Sequence, residues 1–141
     1  MNADAQRGNG TTTGLRDIAS RVWDEAGRGP QEMDLALAYD DYPVMVCAQL
    51  DDVGLVPGAD IGRFLAEQVR DGNWPLNTSG GQLSAGQAGA AGGLHGFVEA
   101  ATQLRERAGV RQVSARTAAI TGYGMVLYRY GAVANLTVLA A

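Results

Sequence analysis

The chain has 141 residues and an apolar fraction of 46%, enough for one globular domain with a modest core. Its formal net charge of -4 argues against a nucleic-acid partner, because no basic stripe is present to neutralise phosphates. The single cysteine, Cys47, excludes an internal disulfide framework and a cysteine-based zinc site, and we expect no metal site.

The first residues carry no structural pattern. Residues 1–14 are polar and contain Gly8, Gly10 and Gly14, which predicts a disordered arm followed by one domain over residues 15–141. The sequence has no apolar signal segment and no run near the ~20 apolar residues of a membrane helix. We therefore expect a cytoplasmic protein without a membrane span.

The first half of the domain alternates helices with a short strand. Apolar residues at helical spacing predict a helix over Leu15–Ala26, which the Gly27–Pro30 segment ends. Met33–Tyr39 predicts a short buried strand, and Val44–Val53 a helix with Val44, Cys47 and Leu50 facing inward. Residues 55–75 predict a linker that contains a small amphipathic helix.

A glycine-rich run over residues 77–93 is the most unusual feature of the sequence. The run leads into a predicted helix from Leu94 to Arg107, whose apolar stripe comprises Leu94, Phe97, Val98, Ala101 and Leu104. Backbone NH groups at a helix start have no intrahelical partner, and glycines let a ligand oxygen approach them. The run therefore predicts a site for an anion or a carbonyl oxygen, or alternatively close packing of backbone on backbone.

The C-terminal part of the sequence is predicted to form β strands. Ala115–Thr121, Met125–Tyr128 and Ala132–Leu139 predict strands of one sheet, the first of them central and the last near an edge. Strands mixed with helices on both faces of a sheet predict the α/β class.

Several segments, taken together and in this order, resemble the C-terminal half of a thiolase. They are Asn77-Thr-Ser-Gly-Gly81, Gly86-Gln-Ala88, Ala91-Gly-Gly-Leu94, Glu99, Gln103-Leu-Arg105 and Ala108-Gly-Val-Arg-Gln-Val113. The resemblance is strongest to the sterol-carrier and lipid-transfer branch, and it covers the chain from about Leu15 to its end. It implies an α/β fold with a mixed sheet flanked by helices, in which the first strand of the half is missing.

The resemblance also implies roles for individual residues. Gln87 stands where thiolases have a histidine that binds the thioester oxygen, so it can donate a hydrogen bond but cannot exchange a proton near neutral pH. Ile120 stands at the position of the acid/base cysteine, while Gly122 is expected to keep the turn and to offer its NH to an oxyanion hole. The expected thioester-binding frame comprises Asn77, Ser79, Gly80, Gly81, Gly86 and Gly124.

The end of the first predicted strand supplies the other candidates. Tyr39 resembles the tyrosine of lipid-transfer aldolases, and it is either catalytic or a packing residue. Asp40 is expected to orient the site, whereas Asp41 points to the opposite side of an extended segment and is expected to be solvated. Tyr123, between two glycines, is a candidate for substrate contact or a structural residue.

Two further residues are expected to take no part in the chemistry. His95 is the only histidine, and the resemblance places it one turn beyond the family's catalytic position, on the helix flank. Cys47 is expected to be plain core.

The resemblance implies an enzyme subunit that acts on acyl-CoA thioesters by acyl transfer or by forming or cleaving a carbon-carbon bond. CoA thioesters are then substrates, and no other cofactor is expected. A missing strand leaves an open sheet edge, which favours a partner carrying the first half of a thiolase, and a zinc-ribbon and OB-fold protein accompanies some relatives. The alternatives are a non-catalytic acyl-CoA or lipid-binding or scaffold subunit, and a truncated pseudo-enzyme.

Overall fold

A computed structural model describes residues 11–127 and 130–141 of the chain. The principal elements follow the predicted order. They are α1 (Leu15–Ala26), β1 (Leu35–Ala38), α2 (Pro43–Asp52), α3 (Ile61–Phe64), α4 (Gly81–Ala85), α5 (His95–Leu104), β2 (Thr117–Leu127) and β3 (Tyr130–Ala140). A π-helical segment, Leu65–Val69, extends α3, and a 3₁₀ helix, Gly89–Leu94, leads into α5.

The described strands form one mixed sheet in the order β1-β2-β3. β1 runs parallel to β2, with Leu35 opposite Ala118, and β3 runs antiparallel to β2, with Thr117 opposite Ala140. β2 is therefore the central strand, as predicted for Ala115–Thr121, and β3 lies at an edge of the described sheet.

The predicted separate strand Met125–Tyr128 is wrong in the part that the structure describes. β2 runs without interruption from Thr117 to Leu127, because β3 pairs with it along almost its whole length. Gly122 and Gly124 both pair with β3 and lie within β2. The turn that was expected at Gly122 is therefore absent. Tyr128 and Arg129 lie outside the described residues.

Helices cover both faces of the sheet, which confirms the α/β class. On one face, Leu15 and Trp23 of α1 and Leu50 of α2 pack in a core with Ala36 and Ala119 of the sheet. On the other face, Ala100 of α5 is buried with Leu35 and Leu37 of β1 and with Ala118 and Ile120 of β2. The alternation of strand side chains between the two faces explains this division.

Three predicted core positions are wrong. Val44 is 70% exposed, because α2 turns Val46 and Gln49 inward together with Leu50, whose predicted burial is confirmed. Leu94 and Val98 are 61% and 66% exposed, because α5 buries a different stripe that includes Glu99, Ala100 and Gln103. In both helices the buried face includes polar side chains, which hydrophobicity assigns to the surface.

The outer edge of β1 is covered by the segment that opens the glycine-rich run. Ala36 NH donates to Pro75 O (3.1 Å), and Asn77 NH donates to Ala36 O (2.9 Å). Leu76 forms an isolated parallel bridge with Ala36. This segment satisfies the backbone groups of β1 that face away from β2, so the open edge of the described sheet is at β3.

Part of the predicted disordered arm, residues 1–10, lies outside the described residues. Thr13 and Gly14, at the end of that arm, are buried. The backbone NH of Thr13 donates to the buried carboxylate of Asp52, which also pairs with Arg16 Nε at 2.8 Å. The packed region therefore includes residues immediately before α1.

Candidate functional site

The site lies where β1 ends and the glycine-rich run passes beside it. Tyr39 continues β1, since its NH donates to Thr121 O at 3.0 Å. Asp40 and Asp41 follow, and they point in different directions, as predicted: Asp40 is buried among the glycines, whereas Asp41 contacts Tyr123. The strand end thus presents a phenol and two carboxylates in distinct surroundings.

Asp40 anchors the start of α4. Its Oδ1 accepts from the NH of Gln82 (2.8 Å), and its Oδ2 accepts from the NH of Leu83 (3.3 Å). Gly81 lies against the same carboxylate with φ of +63°, and a Cβ at this position would overlap the Asp40 oxygens. The backbone approach that the glycine run was predicted to permit is therefore made here by Asp40 of the chain itself.

Asn77 joins the glycine run to β1 through its side chain. Its Oδ1 accepts from Ala38 NH (2.8 Å) and its Nδ2 donates to Ala38 O (3.0 Å), so the amide stands in for one more residue of a paired strand. The residue has φ of +46°, in the left-handed region that asparagine tolerates better than most residues. Its predicted contact with substrate stays a prediction, and the side chain already makes two hydrogen bonds to Ala38.

The structure brings Tyr39 and Gln87 together. Gln87 Nε2 donates to the hydroxyl oxygen of Tyr39 at 2.7 Å, across 48 positions of sequence. The ring of Tyr123 stands edge-on to that of Tyr39, with 5.9 Å between ring centroids and 88° between ring planes. Because the Tyr39 oxygen accepts from Gln87, the hydroxyl proton of Tyr39 remains available to another acceptor.

Asp41 holds the hydroxyl of Tyr123. The hydroxyl donates to Asp41 Oδ1 and Oδ2 at 2.6 and 2.8 Å. Burial, together with the hydrogen bond and the negative charge of Asp41, raises the pKa of Tyr123 well above its usual value of 10.0. Tyr123 is therefore a neutral donor at physiological pH, and Asp41 is engaged with it, unlike the solvated carboxylate that was expected.

The remaining glycines of the predicted frame differ in their surroundings. Gly80 has φ of +84° and lies against the side chain of Ser84, whereas Gly86 has φ of +89° with open space around its Cβ position. Gly122 is buried opposite Asn135 of β3, whose side chain covers it.

The backbone direction at Gly122 follows from its neighbours. Thr121 O accepts from Tyr39 NH, so the backbone groups of Thr121 face β1. Backbone groups alternate in direction along a strand, so the NH of Gly122 faces β3. Its role in an oxyanion hole stays a prediction, and it requires a backbone direction different from this one. Ile120, beside it, is 2% exposed and is part of the core.

His95 lies closer to the site than its spacing suggested. Its Nε2 is 2.9 Å from the hydroxyl oxygen of Ser79, one of the predicted binding residues. Both residues line a small cavity together with Tyr39 and Asp40. The 3₁₀ helix before α5 turns His95 toward this cavity, and the helical periodicity of the sequence did not reveal that turn.

The cavity itself is small. Its volume is about 20 Å³, and its lining also includes Asn77, Gly81, Gln82 and Gly92, but neither Gln87 nor Gly122. A larger and shallower cleft of about 280 Å³ lies beside it, between Asp40 to Tyr42 on one side and Gln82, Leu83 and Gln87 on the other.

Gln49 supports the site from α2, and sequence reasoning missed it. The side chain is completely buried; its Nε2 donates to Tyr39 O (2.6 Å), and its Oε1 accepts from the Thr121 hydroxyl (3.0 Å). It thereby fixes the backbone that carries Tyr39. The sequence signal for this role was the position of Gln49 directly before Leu50, which was predicted to face inward.

A second polar network fixes the glycine run to α5. Glu99 accepts from the hydroxyl of Thr78 (2.7 Å), from Gln103 Nε2 (2.9 Å) and from Arg111 Nη2 (3.0 Å). Burial opposes ionisation of Glu99, but the hydrogen bonds from Arg111, Gln103 and Thr78 outweigh it and lower the pKa of the carboxyl below its usual 4.5. The carboxylate therefore stays charged at neutral pH.

The described residues contain neither a metal-binding cluster nor a membrane-spanning helix. No group of three or more His, Cys, Asp or Glu side chains among them is arranged to hold a metal ion. In the same part of the chain, no helix has the length and apolar character needed to cross a membrane.

Comparison with known proteins identifies relatives of this arrangement. Residues 2–134 match the family described as thiolase C-terminal domain-like. Sterol carrier protein 2 of Rattus norvegicus is 30% identical over 125 residues, which are 82% of this chain and 23% of that protein. The 17-hydroxy-3-oxo-4-pregnene-20-carboxyl-CoA lyase of Mycobacterium tuberculosis is 30% identical over 90 residues, 62% of this chain and 22% of the lyase.

A solved structure supports the same fold. The Ltp2-ChsH2(DUF35) aldolase superposes with a TM-score of 0.65 at 24% identity, over 76% of this chain and 28% of that chain. The chain thus spans about a quarter of the length of the relatives it matches. The family match covers most of the sequence, and the observed α/β fold with a mixed sheet flanked by helices is consistent with it. The chain belongs to the thiolase C-terminal domain-like family.

Proposed function

We propose that this chain is the C-terminal half of a thiolase-like enzyme that acts on acyl-CoA thioesters together with a partner chain. The reaction is acyl transfer, or the formation or cleavage of a carbon-carbon bond, in lipid or steroid metabolism. The names of the relatives, a sterol carrier protein and a CoA lyase, support this class of substrate.

The observation that carries the proposal is the hydrogen bond between Gln87 and Tyr39. It joins the end of β1 to the end of α4, and it leaves two donors beside each other: the second amide hydrogen of Gln87 and the hydroxyl hydrogen of Tyr39. Two converging donors can polarise a thioester carbonyl, or hold a substrate hydroxyl and a carbonyl, without a proton-transfer group of their own.

The surroundings keep this pair in place. The ring of Tyr39 rests against Tyr123, whose hydroxyl is tied to Asp41, and the backbone of Tyr39 is held by Gln49. A donor whose position is fixed before substrate arrives loses little free energy to ordering when the transition state forms. The cleft beside Gln87, about 280 Å³ in volume, provides room for part of a substrate.

We assign the nucleophile and the proton-transfer groups of the reaction to a partner chain. Neither Gln87 nor the buried Ile120 can exchange a proton near neutral pH, and we propose that another chain supplies the groups that thiolases have at these two positions. The partner we expect carries the first half of a thiolase fold, and a zinc-ribbon and OB-fold protein is a further candidate. The name of the structural neighbour, which joins two components, is in keeping with such an assembly.

A second candidate function is a non-catalytic acyl-CoA or lipid-binding, or scaffold, subunit. The observation that favours it is Ile120: this residue is 2% exposed and packs in the core at the position where the resemblance places a catalytic cysteine. A site whose polar residues already bind one another, as Tyr39 and Gln87 do, is also consistent with a structural role.

Substitution of the two donors separates these functions. In an assembly reconstituted from this chain and its partner, Tyr39→Phe and Gln87→Ala each remove one donor to the substrate oxygen. Loss of such a donor lowers kcat by about 10²-fold or more where it stabilises transition-state charge. The measurement is steady-state turnover of an acyl-CoA panel that includes steroid side-chain thioesters.

The matched control is Gln68→Ala, because Gln68 is an exposed glutamine that lines neither the small cavity nor the cleft. We expect this variant to keep wild-type turnover. If Tyr39→Phe and Gln87→Ala also keep wild-type turnover, while the assembly still forms, the catalytic proposal is wrong and the scaffold function is favoured.

A further inference from the structure

Gln82, which lines the small cavity beside β1, carries an acceptor without a donor among the described residues. Gln82 is 6% exposed, and its Oε1 is fully buried, with no hydrogen-bond partner among the described residues. Burying a carbonyl oxygen without a donor destabilises the folded state, because its hydrogen bonds to water are lost and not replaced. The position therefore needs a donor that the described side chains do not supply.

The cavity has the size and lining of a site for one small polar molecule. Its volume of about 20 Å³ exceeds the ~10–15 Å³ that a single water requires. The polar residues that line it besides Gln82 are Tyr39, Asp40, Asn77, Ser79, His95 and Thr121. A buried water typically makes about three hydrogen bonds, and this lining offers enough partners.

The glycines around the cavity make this arrangement possible. A Cβ on Gly92 would overlap Gln82 Oε1, whereas a Cβ on the next residue, Gly93, would meet nothing within 4 Å. The absence of a side chain at Gly92 leaves the amide oxygen of Gln82 in place.

We propose that this cavity binds one ordered water molecule, which donates a hydrogen bond to Gln82 Oε1 and links that amide to the Ser79–His95 pair. The water connects α4, the loop before it and the first turn of α5. It also brings His95, the only histidine of the chain, into the polar network beside Tyr39. The proposal does not depend on the acyl-CoA function.

The test is a crystal structure of the full chain, alone or with its partner, at a resolution where ordered waters are visible. We expect a density peak of one water within hydrogen-bond distance of Gln82 Oε1, and its absence in Gln82→Met. An empty cavity, or a protein donor bound to Oε1, overturns the proposal. Should Gln82→Met fail to fold, the density in the wild-type chain decides by itself.

Thermal unfolding gives an independent test in solution. If a water donates a hydrogen bond to Oε1 in the wild type, Gln82→Met loses the hydrogen bond to that water. The Tm of the variant is then equal to or below that of the wild type. If Oε1 is unsatisfied, removing it relieves the cost of the buried carbonyl, and a higher Tm overturns the proposal. Gln68→Met, at an exposed glutamine, measures the effect of the methionine side chain itself.

Discussion

The contact between Gly81 and Asp40 shows how one residue determines the local shape of the site. The Asp40 carboxylate occupies the space that any side chain at residue 81 would need, and it binds the first free NH groups of α4. A larger residue at 81 must displace a carboxylate that is 5% exposed. The glycine is required here for the approach of Asp40 as well as for its backbone angle.

We predict that Gly81→Ala destabilises the chain by about 3 kcal/mol or more, because strain in the left-handed region of about 1–2 kcal/mol adds to the loss of the Asp40 hydrogen bonds. The measurement is the free energy of unfolding in urea. Gly89→Ala is the matched control, since Gly89 has a similar φ of +56° with nothing within 4 Å of its Cβ position. Equal losses in the two variants would show that the Asp40 contact contributes nothing.

Several roles of single residues could be predicted from the sequence, and others could not. The opposed directions of Asp40 and Asp41 follow from the alternation of an extended chain, so they were predictable. The pairing of Gln87 with Tyr39 joins residues 48 positions apart and depends on how the glycine run folds back. No local pattern contains that information.

At the scale of elements, hydrophobic spacing found the helices but not always their inner faces. The bounds of α1 match the prediction at both ends. In α2 and α5, however, the completely buried residues include Gln49 and Gln103, whose amides bind backbone and side-chain groups of neighbouring segments. A buried glutamine is recognisable only once its partners are known, because hydrophobicity alone assigns it to the surface.

The Glu99 network predicts how the attachment of α5 depends on pH. The folded state lowers the pKa of Glu99, so its contribution to stability is fully present above the unfolded-state value near 4.5 and is lost as pH falls through the lower folded-state value. We expect the free energy of unfolding to decline below about pH 5. Chemical denaturation at a series of pH values from 7 to 3 measures this decline.

Glu99→Gln is the matched variant, because it keeps the shape of the side chain and removes its charge. We expect it to cost about 2 kcal/mol at neutral pH, through the hydrogen bonds to Arg111 and Thr78, and to flatten the decline at acid pH. A decline equally steep in the variant would mean that other carboxyl groups, such as Asp34, govern acid stability. The pKa of Asp34 is also lowered, chiefly by the backbone NH of Arg116.

At the scale of the whole molecule, the two edges of the described sheet differ. The outer side of β1 is paired with residues 75–77, but no strand among the described residues pairs with the outer side of β3. The sequence of β3, Tyr130–Ala140, contains neither a charged residue nor a proline. Natural edge strands usually carry such residues to prevent pairing with other chains, so β3 has the character of a strand that another chain covers.

The direction of each backbone group in β3 makes this testable by hydrogen exchange. Ala141 NH donates to Arg116 O, so odd-numbered residues of β3 face β2 and the NH groups of Ala134, Leu136 and Val138 face outward. In the isolated chain we expect these three amides to exchange about 100-fold faster than those of Asn135 and Thr137. On assembly with a partner that adds a strand, the same three amides become protected, while Asn135 and Thr137, which face β2, change little. If the assembly forms and the three outward amides still exchange as they do in the isolated chain, β3 is not the docking edge. If these amides are already protected in the isolated chain at high concentration, the pairing partner is a second copy of the chain.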